Sequence, residues 1–336
     1  MLSRRHFLSL LASVSASGAA LHAQEKRKTG WDLITNDDPT RPAPHIPRPL
    51  AWDNETITAC WIGHSTVLVN FFGVNIITDP VFSNRIGLNV AGLFTVGPKR
   101  LVAPALTIDQ LPKIDLILLS HAHMDHLDLP SIKQFDRAIP LIMAPNTSDV
   151  IADLDFKTVY ELDWGKWTNV AGLRVEALCV RHFGWRFPWE EDRSRGNMEG
   201  RSYNAYLLSR NGRHIVFGGD TSFHEYFAEL ASRKIPVDLA MMPIGCYDPW
   251  IRNHANPEQS IAMAQQMEAA YILPMHWGTF IQSDEPVQEP ITRLRLAAAS
   301  QSPKIALESV GETWTLQGER ARREGPADGA PGGPRG

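Results

Sequence analysis

The chain has 336 residues, of which 43% are hydrophobic and 21% charged, and its formal net charge is -4. This length allows a sizeable core in one large domain or two small ones. Because the body of the chain has no long run of Lys or Arg, it lacks the basic surface typical of nucleic-acid binding, and we expect no nucleic-acid partner. Cys60, Cys179 and Cys246 are isolated, which predicts buried apolar residues rather than a metal knuckle or a disulfide framework.

The N-terminal residues have the pattern of an export signal. Arg4 and Arg5 precede an apolar run from Phe7 to Ala20, and small residues follow it up to about Ala23. The run is too short to cross a bilayer, and the pattern resembles a Tat signal peptide. We therefore expect residues 1–23 to be a signal that is removed, and the protein to be periplasmic or secreted.

The rest of the chain divides into three parts. Residues 24–54 are rich in proline and predict an irregular extension, residues 55–317 form the folded domain, and residues 318–336 predict a disordered tail. Strands are predicted at 56–62, 66–72, 75–78, 114–120, 173–180, 203–209, 214–217, 237–241, 271–274 and 304–307. Helices are predicted at 130–135, 148–154, 222–232, 257–269 and 286–299. This interleaving favours a layered α/β or α+β architecture and excludes an all-β sandwich or an all-α bundle.

A dense group of metal-binding side chains follows the predicted strand at 114–120. His121, His123, Asp125 and His126 lie within six positions. In an extended chain, residues two apart project to the same side, so His121 and His123 can share one metal ion. Asp125 and His126 can reach a second ion as the chain turns. Imidazole and carboxylate ligands together suit zinc, iron or manganese rather than calcium, so the sequence predicts a transition-metal site.

The run from His121 to His126 resembles the HxHxDH signature of the metallo-β-lactamase superfamily. The resemblance implies a four-layer αβ/βα sandwich of two mixed β-sheets, with the metal ions at one sheet edge. Further matches follow in the family's order, each at a predicted strand end: His182, Asp220 and His276. By this resemblance, His121, His123 and His182 hold the first metal, Asp125, His126 and His276 hold the second, and Asp220 bridges them. The implied cofactors are two Zn2+ ions, with Fe or Mn as alternatives, and the implied nucleophile is a bridging hydroxide.

One branch of the superfamily is more similar than the others. Segments 61–66, 77–82, 242–247, 254–258 and 276–280 resemble enzymes similar to N-acyl-phosphatidylethanolamine-hydrolysing phospholipase D and, more distantly, sugar-phosphate lactonases. Cys246 and residues 248–253 depart from the phospholipase pattern, so that enzyme's substrate is not transferred directly.

Two residues are predicted to support the ligands from outside. By family analogy Asp79 accepts a hydrogen bond from a ligand histidine; alternatively, it is a turn aspartate before Pro80. His64, between two predicted strands, either orients a ligand, lines the pocket or caps its own loop.

Three residues are candidates for contact with substrate. His254 precedes a predicted helix, whose N-terminus favours anions, so it is assigned to substrate binding or to proton donation, and Asp125 is counted with it as catalytic. Tyr247 is a weaker candidate for substrate binding. Trp185, in the aromatic segment 183–189, either walls an apolar substrate groove or packs beneath a loop.

These features predict a zinc-dependent hydrolase, with a phosphodiesterase acting on a phospholipid-like substrate as the first hypothesis. The alternatives are a lactonase or carboxylic-ester hydrolase at the same site, a β-lactamase, an iron redox enzyme and a metal-binding module without catalysis. The aspartates at 125 and 220 argue against a β-lactamase. The expected partner is a small-molecule or lipid substrate, with peripheral membrane contact and oligomeric state left open.

Overall fold

The computed structural model describes residues 39–90, 94–299 and 302–316. The predicted signal at 1–23 and the predicted tail at 318–336 lie outside these ranges, and the division of the chain into three parts stays a prediction. Residues 39–54 are largely irregular, with a short 3-10 helix at Pro49–Ala51. Within the described residues, no helix has the length and apolar character needed to cross a membrane.

The strands of the described residues are short. In chain order they are β1 (Ile57–Gly63), β2 (Thr66–Phe71), β3 (Val74–Thr78), β4 (Leu88–Val90), β5 (Phe94–Val96), β6 (Leu116–Leu118), β7 (Leu141–Met143), β8 (Val159–Glu161), β9 (Trp167–Val170), β10 (Leu173–Leu178), β11 (Ala205–Arg210), β12 (Arg213–Phe217), β13 (Leu239–Pro243), β14 (Tyr271–Met275), β15 (Lys304–Ile305) and β16 (Thr313–Thr315). All ten predicted strands are confirmed, with ends that differ by a few residues. The sequence analysis missed β4, β5, β7, β8, β9 and β16.

The helices are few. They are α1 (Leu129–Ile132), α2 (Ala228–Ser232), α3 (Pro257–Gln266) and α4 (Glu289–Ala298), with 3-10 helices at Ile108–Gln110, Ser148–Leu154 and Arg193–Arg195. The helix predicted at 222–232 begins only at Ala228. The start of α3 is fixed by a capping box, in which the Asn256 side chain accepts from the Gln259 N–H at 2.9 Å and the Gln259 side chain accepts from the Asn256 N–H at 3.1 Å.

Two mixed sheets form the body of the fold. One has the strand order β16-β1-β2-β3-β6-β7-β8 and the other β15-β14-β13-β12-β11-β10-β9, while β4 and β5 form a separate hairpin. Each sheet combines an antiparallel part with a parallel part, β3-β6-β7-β8 in the first and β12-β13-β14-β15 in the second. The predicted fold class, a sandwich of two mixed sheets with helices, is confirmed.

Burial of both faces explains why many strands are continuous apolar runs in the sequence. Every residue of β1, β2 and β13 is buried, as expected for strands covered on both faces. Leu68 and Ile77 of the first sheet and Leu208 and Met241 of the second belong to one hydrophobic cluster. Cys60 and Cys246 are buried free thiols as predicted, but Cys179 is only partly buried, because it lies beyond the end of β10.

Strand direction determines where the polar loops lie. β1 and β3 each pair antiparallel with β2, so they run the same way, and β6 runs parallel to β3. By the same reasoning β10, β12 and β14 share one direction in the second sheet. Residues that follow the carboxyl ends of co-directional strands gather at one rim of a sheet, where α/β proteins usually bind ligands.

Candidate metal centre

Three imidazoles converge after β6 and β10. His121 Nε2 lies 2.8 Å from His123 Nδ1, and His182 Nε2 lies 3.4 Å from the same atom. Burial, together with neighbouring imidazoles, lowers the pKa of His121 and of His182 well below the usual value and lowers the pKa of His123 to about 4. All three rings are therefore neutral near pH 7, which is the protonation state that a metal ligand requires.

A second group surrounds the Asp125 carboxylate. Its Oδ2 lies 3.3 Å from His276 Nε2 and 3.6 Å from His126 Nε2. Burial disfavours the charged forms here, but the opposite charges outweigh it: the pKa of Asp125 falls well below its usual range, that of His276 rises to about 9, and that of His126 rises well above its usual value. In the metal-free protein, the positive charge of these protonated imidazoles therefore offsets the negative charge of the carboxylates. A divalent cation would offset the same charge.

Asp220 lies between the two groups. Its Oδ2 is 3.1 Å from both His126 Nε2 and His276 Nε2, and 4.0 Å from His182 Nε2. Its Oδ1 is buried and has no hydrogen-bond partner among the residues that the structure describes. The backbone before Asp220 passes close to Ser120, and Gly219 (φ 55°) makes this possible, because an added Cβ there would lie only 2.7 Å from the Ser120 side chain. Asp220 is thus within reach of both groups, and its assignment as the bridging ligand remains a prediction.

Hydrogen bonds behind the rings fix which nitrogen faces the centre. Asp79 Oδ2 lies 2.6 Å from His126 Nδ1 and accepts from Ser120 Oγ at 2.6 Å. Since the Ser120 hydroxyl donates to Asp79, it accepts from His121 Nδ1 at 2.8 Å. His182 Nδ1 donates to the Asn253 carbonyl at 2.9 Å. In all three rings Nδ1 carries the outer hydrogen bond and Nε2 faces the centre, as in other metal sites with outer-shell support.

These residues fit a transition-metal centre. The donor atoms of His121, His123 and His182 lie within 4.8 Å of one another, and so do those of a group that contains Asp125, His126 and His276. They are buried nitrogen and oxygen donors of the kind that zinc, iron and manganese accept. The unpartnered Oδ1 of Asp220 is a further donor at the same place.

Two other predicted histidines adjoin the centre. His64 Nε2 lies 3.2 Å from Asp125 Oδ2, and its ring lies 4.2 Å from that of His276. Burial first, then the charge on His276, lowers the pKa of His64 to about 3. His254 Nε2 lies 3.2 Å from Asp220 Oδ2, while its Nδ1 is buried without a partner. Both residues are therefore brought to the site, and their roles stay predictions.

The two aromatic candidates are placed differently. The Trp185 ring lies 5.9 Å from the His123 ring and 5.0 Å from Phe183, so the aromatic segment does border the first donor group. Tyr247 has other contacts, because its hydroxyl donates to Glu289 Oε1 at 2.8 Å and its ring lies under the Arg293 guanidinium. The contacts found for Tyr247 thus join it to α4, and its assignment to substrate binding stays a prediction.

The sequence analysis missed two polar side chains that touch this centre. Gln282 Nε2 donates to Asp125 Oδ2 at 2.7 Å. Arg186 Nη1 donates to the carbonyls of Ala122 and Leu127 at 2.7 and 2.9 Å. It thereby contacts both ends of the segment 122–127, called the ligand loop below because it contains three of the predicted metal ligands. Arg186 lies in the aromatic segment that the sequence singled out, whereas Gln282 lies beyond every recognised motif and gave no signal.

Comparison with known proteins identifies the family. The profile of the beta-lactamase superfamily domain matches residues 74–277, more than half of the chain. The chain belongs to this family. The matched span includes all seven predicted metal ligands, and the resemblance stated from the sequence is confirmed. As a member of the beta-lactamase superfamily, this protein is a metal-dependent hydrolase.

Several relatives of this superfamily member cover much of its length. It is 32% identical to an uncharacterized protein of Mycobacterium tuberculosis, over 93% of this chain and 82% of that protein. It is 29% identical to N-acyl-phosphatidylethanolamine-hydrolyzing phospholipase D 1 of Caenorhabditis elegans, over 86% of this chain and 85% of that one. A mitochondrial enzyme of the same name from Saccharomyces cerevisiae is 30% identical over 71% of this chain and 51% of its own.

Solved structures support the fold assignment. Igni18, a metallo hydrolase from Ignicoccus hospitalis, superposes with a TM-score of 0.57 at 19% identity, over 79% of this chain and 100% of that one. An isothiocyanate hydrolase from Delia radicum gut bacteria gives a TM-score of 0.61 at 15% identity, over 77% of this chain and 98% of that one. At these identities the likeness concerns the fold alone.

Proposed function

We propose that this protein is a zinc-dependent phosphodiesterase of the phospholipase D type, acting on a phospholipid-like substrate with water as the nucleophile. The observation that carries the proposal is the pair of adjoining donor groups with Asp220 between them. The names of the Caenorhabditis elegans and Saccharomyces cerevisiae relatives support the substrate class.

The residues that would hold two zinc ions form two groups, and the short distances within each group support this assignment. His121, His123 and His182 would hold one, Asp125, His126 and His276 the other, and Asp220 would contact both. Bound zinc ions would make hydroxide available near neutral pH and offset the negative charge of a phosphate group. The chain itself contributes ordered, neutral imidazoles at the first group, because outer hydrogen bonds and burial fix their protonation.

His254 is assigned to the phosphate. It is buried beside Asp220, and its Nδ1 has no partner among the described residues. It lies three residues before α3, whose positive dipole end favours an anion. In its protonated form, His254 donates to an anionic phosphate oxygen or to the oxygen of the leaving alcohol.

The aromatic segment is assigned to the apolar part of the substrate. Phe183 stacks on the His182 ring at 4.6 Å, and Trp185 packs beside it. Further along, Trp189 is 78% exposed, so the segment extends from the metal donors to the surface. An amphipathic aromatic surface of this kind suits a lipid substrate and peripheral contact with a membrane. Periplasmic or secreted location by Tat export belongs to the same proposal.

One substrate panel tests the proposal. Purified protein loaded with zinc is offered bis-(p-nitrophenyl) phosphate, an N-acylated phosphatidylethanolamine, a homoserine lactone and a chromogenic cephalosporin. We expect turnover of the two phosphodiesters and its loss in His121→Ala, with His214→Ala as the control because His214 contacts Ser209, away from the centre. Turnover of the lactone alone would make the protein a lactonase instead. Zinc content measured on the same samples shows whether His121→Ala acts through the metal.

A further inference from the structure

The side-chain amide of Gln282 is the nearest partner recorded for Asp125 Oδ2. Gln282 Nε2 donates to that oxygen at 2.7 Å, whereas the imidazole nitrogens around it lie 3.2–3.6 Å away. Gln282 lies between the end of β14 and the start of α4, 157 residues from Asp125 in sequence. A hydrogen bond to a carboxylate fixes its rotamer and favours its ionised form. The amide therefore directs the Asp125 oxygen toward His126 and His276.

Neutrality makes an amide well suited to this position. An Arg or Lys donor would orient Asp125 equally well, but its positive charge would oppose a cation bound a few ångströms away. Gln282 donates the same hydrogen bond without that charge. It resembles the outer-shell partners that already orient His121, His126 and His182, with the difference that it acts on a carboxylate.

The segment that presents Gln282 is itself tied to the chain after β13. The Glu285 carboxylate accepts the backbone N–H of Cys246 and, at 3.0 Å, that of Asp248. The Asp284 N–H donates to the Asp248 carbonyl at 2.8 Å. The Cys246 thiol lies 3.8 Å from the Gln282 carbonyl. These contacts hold the backbone from Gln282 to Glu285, so the Gln282 amide meets Asp125 from a segment that is already ordered.

We propose that Gln282 is a positioning residue for Asp125, held in place by Glu285, and that it sets the affinity of the second donor group for its metal. The inference rests on the proposed function only in taking Asp125 as a metal ligand. Loss of an outer-shell partner typically weakens metal binding about 10- to 100-fold. Because the side-chain hydrogen bond of Gln282 goes to Asp125 of the second group, the effect should fall on the metal ion held by that group.

The test compares Gln282→Ala and Gln282→Met with a matched control, Gln134→Ala, which removes a glutamine that donates to the Pro130 carbonyl at the surface. Zinc affinity is measured by competition with a chromophoric chelator, and the melting temperature of the metal-free protein is recorded alongside. Both Gln282 variants should raise the dissociation constant of one zinc ion about 10- to 100-fold and leave the other within about threefold. Met keeps the size of the side chain and removes the donor, so wild-type affinity in Gln282→Met overturns the proposal.

A second variant separates positioning from packing. Glu285→Ala should weaken the binding of the same zinc ion several-fold. It should add little when combined with Gln282→Ala, because Glu285 acts through Gln282. The inference is overturned if the two substitutions weaken zinc binding by factors that multiply fully in the double variant. It is also overturned if they lower the melting temperature and leave the zinc affinity unchanged, since that result shows a merely structural role. If the wild-type protein binds no zinc at the second group, the inference and the proposed function fail together. If it binds two ions and both Gln282 variants match it, the inference fails alone.

Discussion

Arg186 offers a direct measure of how firmly the ligand loop is held. Its guanidinium donates to the Ala122 carbonyl at 2.7 Å and to the Leu127 carbonyl at 2.9 Å. Ala122 and Leu127 are fully buried and bracket the run that contains His123 and Asp125. Arg186→Met keeps the apolar stem and removes both donors. We expect this variant to loosen the loop and to destabilise the fold together.

The magnitude follows from the two carbonyls that lose their partner. Each buried polar group left unsatisfied costs about 1–3 kcal/mol, so Arg186→Met should lower the free energy of unfolding by about 2–6 kcal/mol. The unfolding free energy of Arg186→Lys should lie between those of Arg186→Met and the wild type. Both hydrogen bonds come from Nη1, and the lysine ammonium ends one bond short of that atom. The quantity is measured by urea denaturation of the metal-free protein, with unfolding followed by tryptophan fluorescence.

The control is Arg295→Met, because Arg295 pairs with Glu308 at 2.7 Å on the surface. Exposed ion pairs contribute at most about 1 kcal/mol, so this variant should stay close to the wild type. Zinc affinity should fall in Arg186→Met and stay unchanged in Arg295→Met. An Arg186→Met protein within about 0.5 kcal/mol of the wild type would refute the reasoning, because two buried carbonyls cannot lose their donors at so small a cost.

Three further outcomes are expected. The pKa of His276 is raised to about 9 and that of His126 well above its usual value, so both rings are protonated at pH 7 without metal. Zinc binding should therefore release about two protons, seen as a calorimetric heat that depends on the buffer, and a buffer-independent heat would contradict this. Asp220→Asn should lose at least one zinc ion and lower phosphodiesterase activity more than about 100-fold, which exceeds the usual effect of removing an outer-shell partner. Full zinc content with full turnover in this variant would exclude a bridging role for Asp220. Burial opposes the charge of Glu176, but Arg233 at 2.6 Å outweighs it and lowers the pKa of Glu176 below 4.5. The ion pair therefore stabilises the fold above pH 4.5, and this stabilisation is lost as the pH falls through the lowered pKa. Glu176→Gln should therefore show a smaller fall in unfolding free energy between pH 6 and pH 3 than the wild type does, and equal slopes would argue against the pair.

Much of the centre was visible in the sequence because its donors lie where apolar strands end. The short run after β6 supplies four of them, and the period-two spacing of His121 and His123 is enough to predict a shared ion. His182, Asp220 and His276 are far away in sequence, and only the family resemblance assigned them to the same place. The shared direction of β10, β12 and β14 supplies the physical reason, which no local pattern contains.

The failures have equally specific causes. β8 is a three-residue strand with two exposed positions, and β9 is an exposed edge strand, so neither shows the apolar signal of a buried strand. The contacts of Tyr247 with Glu289 and Arg293 of α4 join residues that are distant in sequence, so no local pattern predicts them. Gln282 is a similar case, since it lies in no motif and still touches Asp125.

Every predicted metal donor lies at one rim of the sheets, and among the described residues the turns at the far rim contain none of them. The hairpin between β2 and β3 turns there at Phe72–Gly73, and the hairpin between β11 and β12 turns there at Asn211–Gly212. An added Cβ at Gly212 would meet nothing within 4 Å. A fluorophore, an affinity tag or a tether to a surface attached at this turn would report on the enzyme or immobilise it while its reactive edge stays open to substrate.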